Sequence, residues 1–138
     1  DLYNSWITNF ADVFWEIANG NIITPICKEK YGCQIQMHSK WATTDTLNIE
    51  YPAEIAPYVK PRNEYMKNGI PYSIPQGKEG GITVASVWAT ANTKEAAIKL
   101  CMGRADQVKC FDIEYSKQAI DEIPGKIAEL EKRGVKIF

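Results

Sequence analysis

The stretch Ile82-Thr83-Val84-Ala85-Ser86-Val87-Trp88-Ala89-Thr90-Ala91 is the most apolar segment of the chain and carries no charge. It falls far short of the roughly 20 apolar residues that a bilayer-spanning helix needs. A short apolar run of this kind reads as a central strand, covered on both faces. The rest of the 138-residue chain must then supply strands along its edges and apolar side chains over its faces.

Period-two alternation marks further strands. Cys33, Ile35 and Met37 alternate with Gln34, Gln36 and His38, which predicts a half-buried strand with the polar set facing water or a partner. Leu47-Asn48-Ile49-Glu50-Tyr51 alternates likewise, and the polar turn Thr43 to Thr46 between the two predicts an antiparallel hairpin closed by Tyr51-Pro52. Phe111, Ile113 and Tyr115 alternate with Asp112 and Glu114 and predict another strand. Pro52, Pro57, Pro61 and Pro71 exclude a long helix over 52–71, leaving a meandering loop with one short turn around Arg62 to Lys67. Pro71-Tyr72-Ser73-Ile74-Pro75 reads as an edge strand, because proline cannot donate to a central ladder.

Helical periodicity appears in three places. Tyr3, Trp6, Phe10, Val13, Phe14 and Ile17 form one apolar stripe over 3–18, ended by Asn19-Gly20. Asn92 with Glu95 predicts a capped start for a helix over 93–108, with Ala96, Ala97, Leu100, Cys101, Ala105 and Val108 as its apolar face. Ser116 caps a last helix, which Pro124 splits into two pieces, the second ending at Arg133-Gly134. Together these elements specify an α+β domain, a mostly antiparallel sheet packed by helices.

Charge and cysteine usage narrow the functional classes. Sixteen Lys+Arg against 17 Asp+Glu leave a formal charge of -1, which argues against nucleic acid as a partner. No segment reads as membrane-spanning, and cytoplasm is the expected compartment. Cys27, Cys33, Cys101 and Cys110 match no Cys-x-x-Cys pattern, and Cys33 and Cys101 read as small buried hydrophobes in a reducing compartment. The chain opens at Asp1 without Met, basic n-region or apolar h-region, so the expectation is that a further segment lies upstream.

No residue cluster announces a reaction. Gly77-Lys78-Glu79-Gly80-Gly81 lacks the spacing of a phosphate loop and leads into a strand, so it reads as a hairpin turn. His38, the single histidine, has no Asp or Ser at a spacing that suggests an oriented dyad, and reads as a surface or interface residue. Asp121 with Glu122, and Glu129 with Glu131, read as the solvated face of a helix. Arg62 and Lys67 lie where they could meet an anion across a cleft, although isolated surface charges explain them as well.

The order of elements resembles a known family. The helix ending Ala18-Asn19-Gly20, the hairpin closed by Tyr51-Pro52, the proline-interrupted loop, Gly80-Gly81, Ala89-Thr90-Ala91 and Thr93-Lys94-Glu95-Ala96 are together similar to the C-terminal part of phosphoribosylamine-glycine ligase. That family, also called glycinamide ribonucleotide synthetase, comprises ATP-grasp, ADP-forming carbon-nitrogen ligases of purine biosynthesis. The likeness covers roughly residues 1 to 115 and is similar in kind to divergent versions carried by some viruses of bacteria. Ile82 stands where the family usually has a basic residue, and Tyr51-Pro52 lacks the following Gly-Ser.

The resemblance implies that residues 1–31 are the tail of an upstream ATP-grasp lobe and 32–138 the C-terminal α+β subdomain. It implies no catalytic or metal-binding residue in this chain, with Gly80, Gly81, Arg62 and His38 at the rim of the substrate site. ATP and magnesium would belong to the full-length parent, and the partners would be the upstream lobes or a second copy. The alternative is a stand-alone small-ligand or protein interaction module without catalysis, with a tryptophan as its interface anchor. The aromatic stripe of the first helix predicts dimerisation over Trp6, Phe10 and Phe14.

Overall fold

The structure, a computed structural model, describes residues 2–75 and 82–135. Gly80 and Gly81, with the turn expected over 77–81, lie outside the described residues. The elements run α1 (Leu2–Trp6), α2 (Phe10–Ala18), β1 (Tyr31–Ser39), β2 (Leu47–Asn48), β3 (Val59–Pro61), β4 (Glu64–Lys67), β5 (Ile70–Ser73), β6 (Ile82–Ala91), α3 (Lys94–Ala105), β7 (Ile113–Glu114), α4 (Lys117–Asp121) and α5 (Ile123–Lys132). Short 3₁₀ turns cover Trp41–Thr43 and Ala53–Tyr58. The architecture is α+β with antiparallel sheets, as the sequence predicts.

Among the described residues one sheet has four strands in the order β3-β6-β1-β7, and a second has three in the order β2-β5-β4. The apolar run becomes β6, an inner strand with Val84, Ala85, Val87 and Ala89 fully buried. Its main partner is β1, paired from Tyr31↔Ala91 to Ser39↔Ile82. Val84 is an extra residue in this ladder, since Met37 faces Ala85 and His38 faces Thr83. The bulge turns both Val84 and Ala85 into the core. Helix α3 covers the face formed by Ile35, Met37, Ala85, Val87 and Ala89, presenting Ala97, Cys101 and Ala105. Small side chains on both layers let helix and sheet approach closely.

Several sequence expectations are corrected. The first helix is two helices, because the loop after α2 returns alongside the segment between them. Asn9 Oδ1 accepts from Ile26 N at 2.8 Å, Asn9 Nδ2 donates to Thr24 O at 3.1 Å, and Lys28 N donates to Trp6 O at 2.9 Å. Those bonds, with the Ile7↔Cys27 bridge, hold Ile7–Asn9 out of the helix and split the aromatic stripe: Leu2 and Val13 are buried, whereas Tyr3, Phe14 and Ile17 are exposed.

The hairpin of 33–38 with 47–51 is absent among the described residues. The nine-residue β1 lies between the ten-residue β6 and the short β7, while β2 pairs with β5. The long apolar strand needs a long neighbour, and the two-residue β2 cannot serve.

The region read as a meandering loop forms β3 and a hairpin of β4 with β5. Asn68 and Gly69, at φ +53° and +78°, make the two-residue turn between Lys67 and Ile70 that a right-twisted hairpin favours. Strand β5 is therefore the middle strand of its sheet, not an edge. Pro71 is tolerated there because it lies just past the last β2–β5 pair, Asn48↔Tyr72: its carbonyl still accepts from Ile49 N, and the N–H it lacks leaves only one bond on that side unmade.

The cap of α3 is Thr93, whose Oγ1 accepts from Ala96 N at 3.2 Å, and the helix ends at Ala105 with Leu100 on its exposed side. The strand expected over 111–115 shrinks to Ile113–Glu114, because Asp112 at φ +52° breaks the extended run after Phe111. The last helix matches its reading: Ser116 Oγ accepts from Ala119 N, Pro124 opens α5, and Gly134 follows it at φ +82°.

Candidate functional site

The face of the large sheet turned away from α3 is polar. It carries Gln34, Gln36 and His38 from β1, and Thr83, Ser86 and Trp88 from β6, as their register opposite one another requires. Thr83 Oγ1 lies 3.3 Å from His38 Nδ1, and Glu114 of β7 stands directly across from His38. A hydroxyl, an imidazole and a carboxylate thus share one row across three strands, although no hydrogen bond joins His38 to Glu114 among the described residues. A nucleophile and its base need such an oriented chain, so this row lacks the arrangement of a triad.

Arg62 reaches the same face. It follows β3, its backbone N–H donates to Val84 O at 2.8 Å, and its guanidinium bonds Ser86 Oγ through Nε at 3.3 Å and Nη2 at 3.0 Å. That contact covers Ser86, which has no accessible surface, although Gln34 and Gln36 on the same face stand exposed. At the far end of the face α1 sits over Gly32, where a Cβ would come within 3.1 Å of Leu2 and Trp6. Leu2 N donates to Gln34 Oε1 at 3.3 Å, and the buried Trp88 leaves its indole N–H without a partner. Of the four expected rim residues, then, His38 and Arg62 flank the same first part of β6, and Gly80 and Gly81 immediately precede it in sequence. Lys67 lies on the other sheet, in β4.

A second group of exposed side chains is apolar. Trp15 is 70% exposed and Ile22 95% exposed, with Phe14, Ile17 and Ile26 also standing in solvent. The Phe10 and Phe14 rings pack on each other at 4.7 Å between centroids. Trp6 is not available to this surface, because it packs on Gly32 and its indole N–H donates to Glu29 O at 2.6 Å. The helical stripe read from the sequence omits Trp15, Ile22 and Ile26. Three isoleucines close together in a loop that also holds Asn19-Gly20 and Pro25 are the signal that could have found the last two: apolar residues with no element of their own to pack on.

Other groups serve the scaffold. Arg104 of α3 donates Nη1 to Trp88 O at 2.8 Å and stacks its guanidinium 3.4 Å from the Tyr58 ring centroid. Tyr115 donates its hydroxyl to Asp106 at 2.5 Å, and Lys117 pairs with the same carboxylate at 3.2 Å. These two partners hold the Asp106 carboxyl below the ordinary aspartate value, the Tyr115 bond being the larger cause. Among the described residues no three or more His, Cys, Asp or Glu converge to hold a metal ion, and no helix is long and apolar enough to cross a membrane. The described residues therefore offer no set of carboxylates that would hold magnesium. No protein-family model and no curated protein matches the chain.

Proposed function

We propose that this chain is a non-catalytic docking domain whose α1–α2 arm presents an apolar surface to a protein partner. One observation carries the reading: Phe14, Trp15, Ile17, Ile22 and Ile26 all stand exposed on a single helix and the loop that leaves it. Apolar side chains gathered in this way gain by leaving water, and large aromatics are the usual anchors of an interface. The sheet has its own core and does not need the arm to complete it.

In the isolated chain the surface is covered by a second copy. Size-exclusion chromatography with light scattering gives twice the chain mass, and a Phe14→Glu, Trp15→Glu double variant runs as a monomer with unchanged circular dichroism. A monomeric wild-type chain that binds no apolar dye defeats the reading.

A second reading names the partner. If the chain is the C-terminal segment of an ATP-dependent carbon-nitrogen ligase resembling phosphoribosylamine-glycine ligase, residues 1–31 are the tail of the upstream ATP-grasp lobe, and that lobe covers the arm. ATP and magnesium then belong to the parent, and this segment contributes a rim. What favours it is the placement of Arg62 and His38 on either side of the start of β6, which directly follows Gly80-Gly81 in sequence. Fusion to upstream lobes carrying paired acidic ligands tests it, and loss of ligation on Arg62→Ala with retained nucleotide binding supports it. The domain is read as cytoplasmic, in keeping with its unpaired cysteines Cys27, Cys33, Cys101 and Cys110.

A further inference from the structure

We propose that Cys33 and Cys101 are a peroxide-oxidisable pair, which closes to a disulfide that staples α3 to β1. The two residues are 68 positions apart in sequence and match no redox motif, yet the fold brings them together. Cys101 lies on the sheet-facing side of α3 without accessible surface, and its thiol lies 3.4 Å from Val87 O, to which it donates. Val87 pairs with Ile35, and Cys33 points to the same face one pleat earlier, opposite Ala89. The Cys101 sulfur thus sits over the rung beside Cys33, and Cys33 packs against the core cluster to which Cys101 belongs. The buried positions of the helix on either side of Cys101 are the small residues Ala97 and Ala105, and Cys33 stands opposite Ala89 on the strand.

The two thiols differ in access and in charge. Cys33 is half-buried and lines a cavity of about 260 Å³ bounded by Trp6, Gln34, Ile98, Ile123 and Ile127, whereas Cys101 is sealed. The neighbouring Cys101 thiol holds the Cys33 thiol below its ordinary value, and the nearness of Cys33, with burial, pushes Cys101 up. Cys33 is therefore the attacking sulfur and Cys101 the resolving one. Cys33 attacks hydrogen peroxide: an S–O bond forms, the O–O bond breaks, and the thiol proton leaves with the departing oxygen as water. Cys101 then attacks the sulfenic sulfur, the S–S bond forms, and the S–O bond breaks to release a second water. Two thiols are oxidised to one disulfide and one peroxide is reduced to two waters. A dithiol reductant reverses the change.

The test treats the folded full chain with hydrogen peroxide and maps cysteines by mass spectrometry after alkylation. The expected result is a fall from four titratable thiols to two, a peptide cross-link joining Cys33 to Cys101, and a rise in thermal midpoint that dithiothreitol reverses. Cys101→Ala stops at the sulfenic acid on Cys33, which dimedone traps. Wild-type mapping does not depend on that variant folding. A cross-link involving Cys27 or Cys110, over-oxidation of Cys33 with Cys101 still reduced, or four unchanged thiols would each overturn the proposal.

Discussion

Removal of the Arg104 side chain should cost this domain more than any other single change at a half-exposed position. Arg104 sits at the end of the β3 ladder: Val59 pairs with Val87, and the next residue back, Tyr58, has already turned into a 3₁₀ segment. The Trp88 carbonyl takes its hydrogen bond from Arg104 Nη1 at 2.8 Å instead, and the guanidinium lies flat on Tyr58. A hydrogen bond from a charged donor contributes about 1.5–3 kcal/mol. The stacked cation adds about 0.5–1 kcal/mol where the ring is partly exposed, as Tyr58 is. Arg104→Ala should therefore destabilise by roughly 2–4 kcal/mol, a sum of those two contributions. Urea denaturation followed by tryptophan fluorescence measures it, with the slope unchanged. Arg104→Lys should recover the carbonyl bond but not the stacking, and a double-mutant cycle with Tyr58→Leu should show coupling of about 0.5–1 kcal/mol. A loss under about 0.5 kcal/mol on Arg104→Ala, the level of an ordinary surface change, would refute the reasoning.

Three further outcomes are expected. Gly69→Ala should destabilise by about 1–2 kcal/mol, because an L side chain at φ +78° is strained, and an unchanged denaturation midpoint would speak against the Asn68-Gly69 turn. Asp106 has a folded-state carboxyl held below its ordinary value by Tyr115 and then Lys117, so its contribution is present above about pH 4 and is lost as pH falls through the lowered value. Asp106→Asn should flatten the acid limb of thermal stability below about pH 4, and a limb as steep as wild type would exclude that role. Calorimetry with magnesium-ATP should return no binding to this chain, with glycine and a ribose 5-phosphate analogue as controls, whereas saturable binding would put a complete nucleotide site inside these residues and overturn the non-catalytic reading.

Periodicity made some of this fold legible and concealed the rest. The faces of β1 and β6, the cap at Ser116 and the break at Pro124 follow from local rules of alternation, capping and fixed proline φ. Pairing does not, since it depends on which strand is long enough to lie beside β6, and the seven residues between Ser39 and Leu47 turn away instead of folding back. The Asn68-Gly69 signal was present but outweighed by prolines, whose cost is small where the paired part of the neighbouring strand has already ended, as at Pro71. The break at Ile7–Asn9 is set by Thr24 and Ile26, beyond the reach of any helical window. For the site, His38 and Arg62 were identifiable as candidates, but their sharing of one sheet face was not, since it arises from separate pairings of β1 and β3 with β6. The Cys33 and Cys101 contact is hidden for the same reason.

The docking claim is tested most directly by amide hydrogen exchange over residues 10–26, measured in dilute and in concentrated protein. A nine-residue helix with an uncovered apolar face should exchange fast when dilute, and should become protected as the chain associates, while β6 stays protected throughout. Protection of 10–26 that is already complete in the dilute monomer, or that never rises with concentration, would contradict the account.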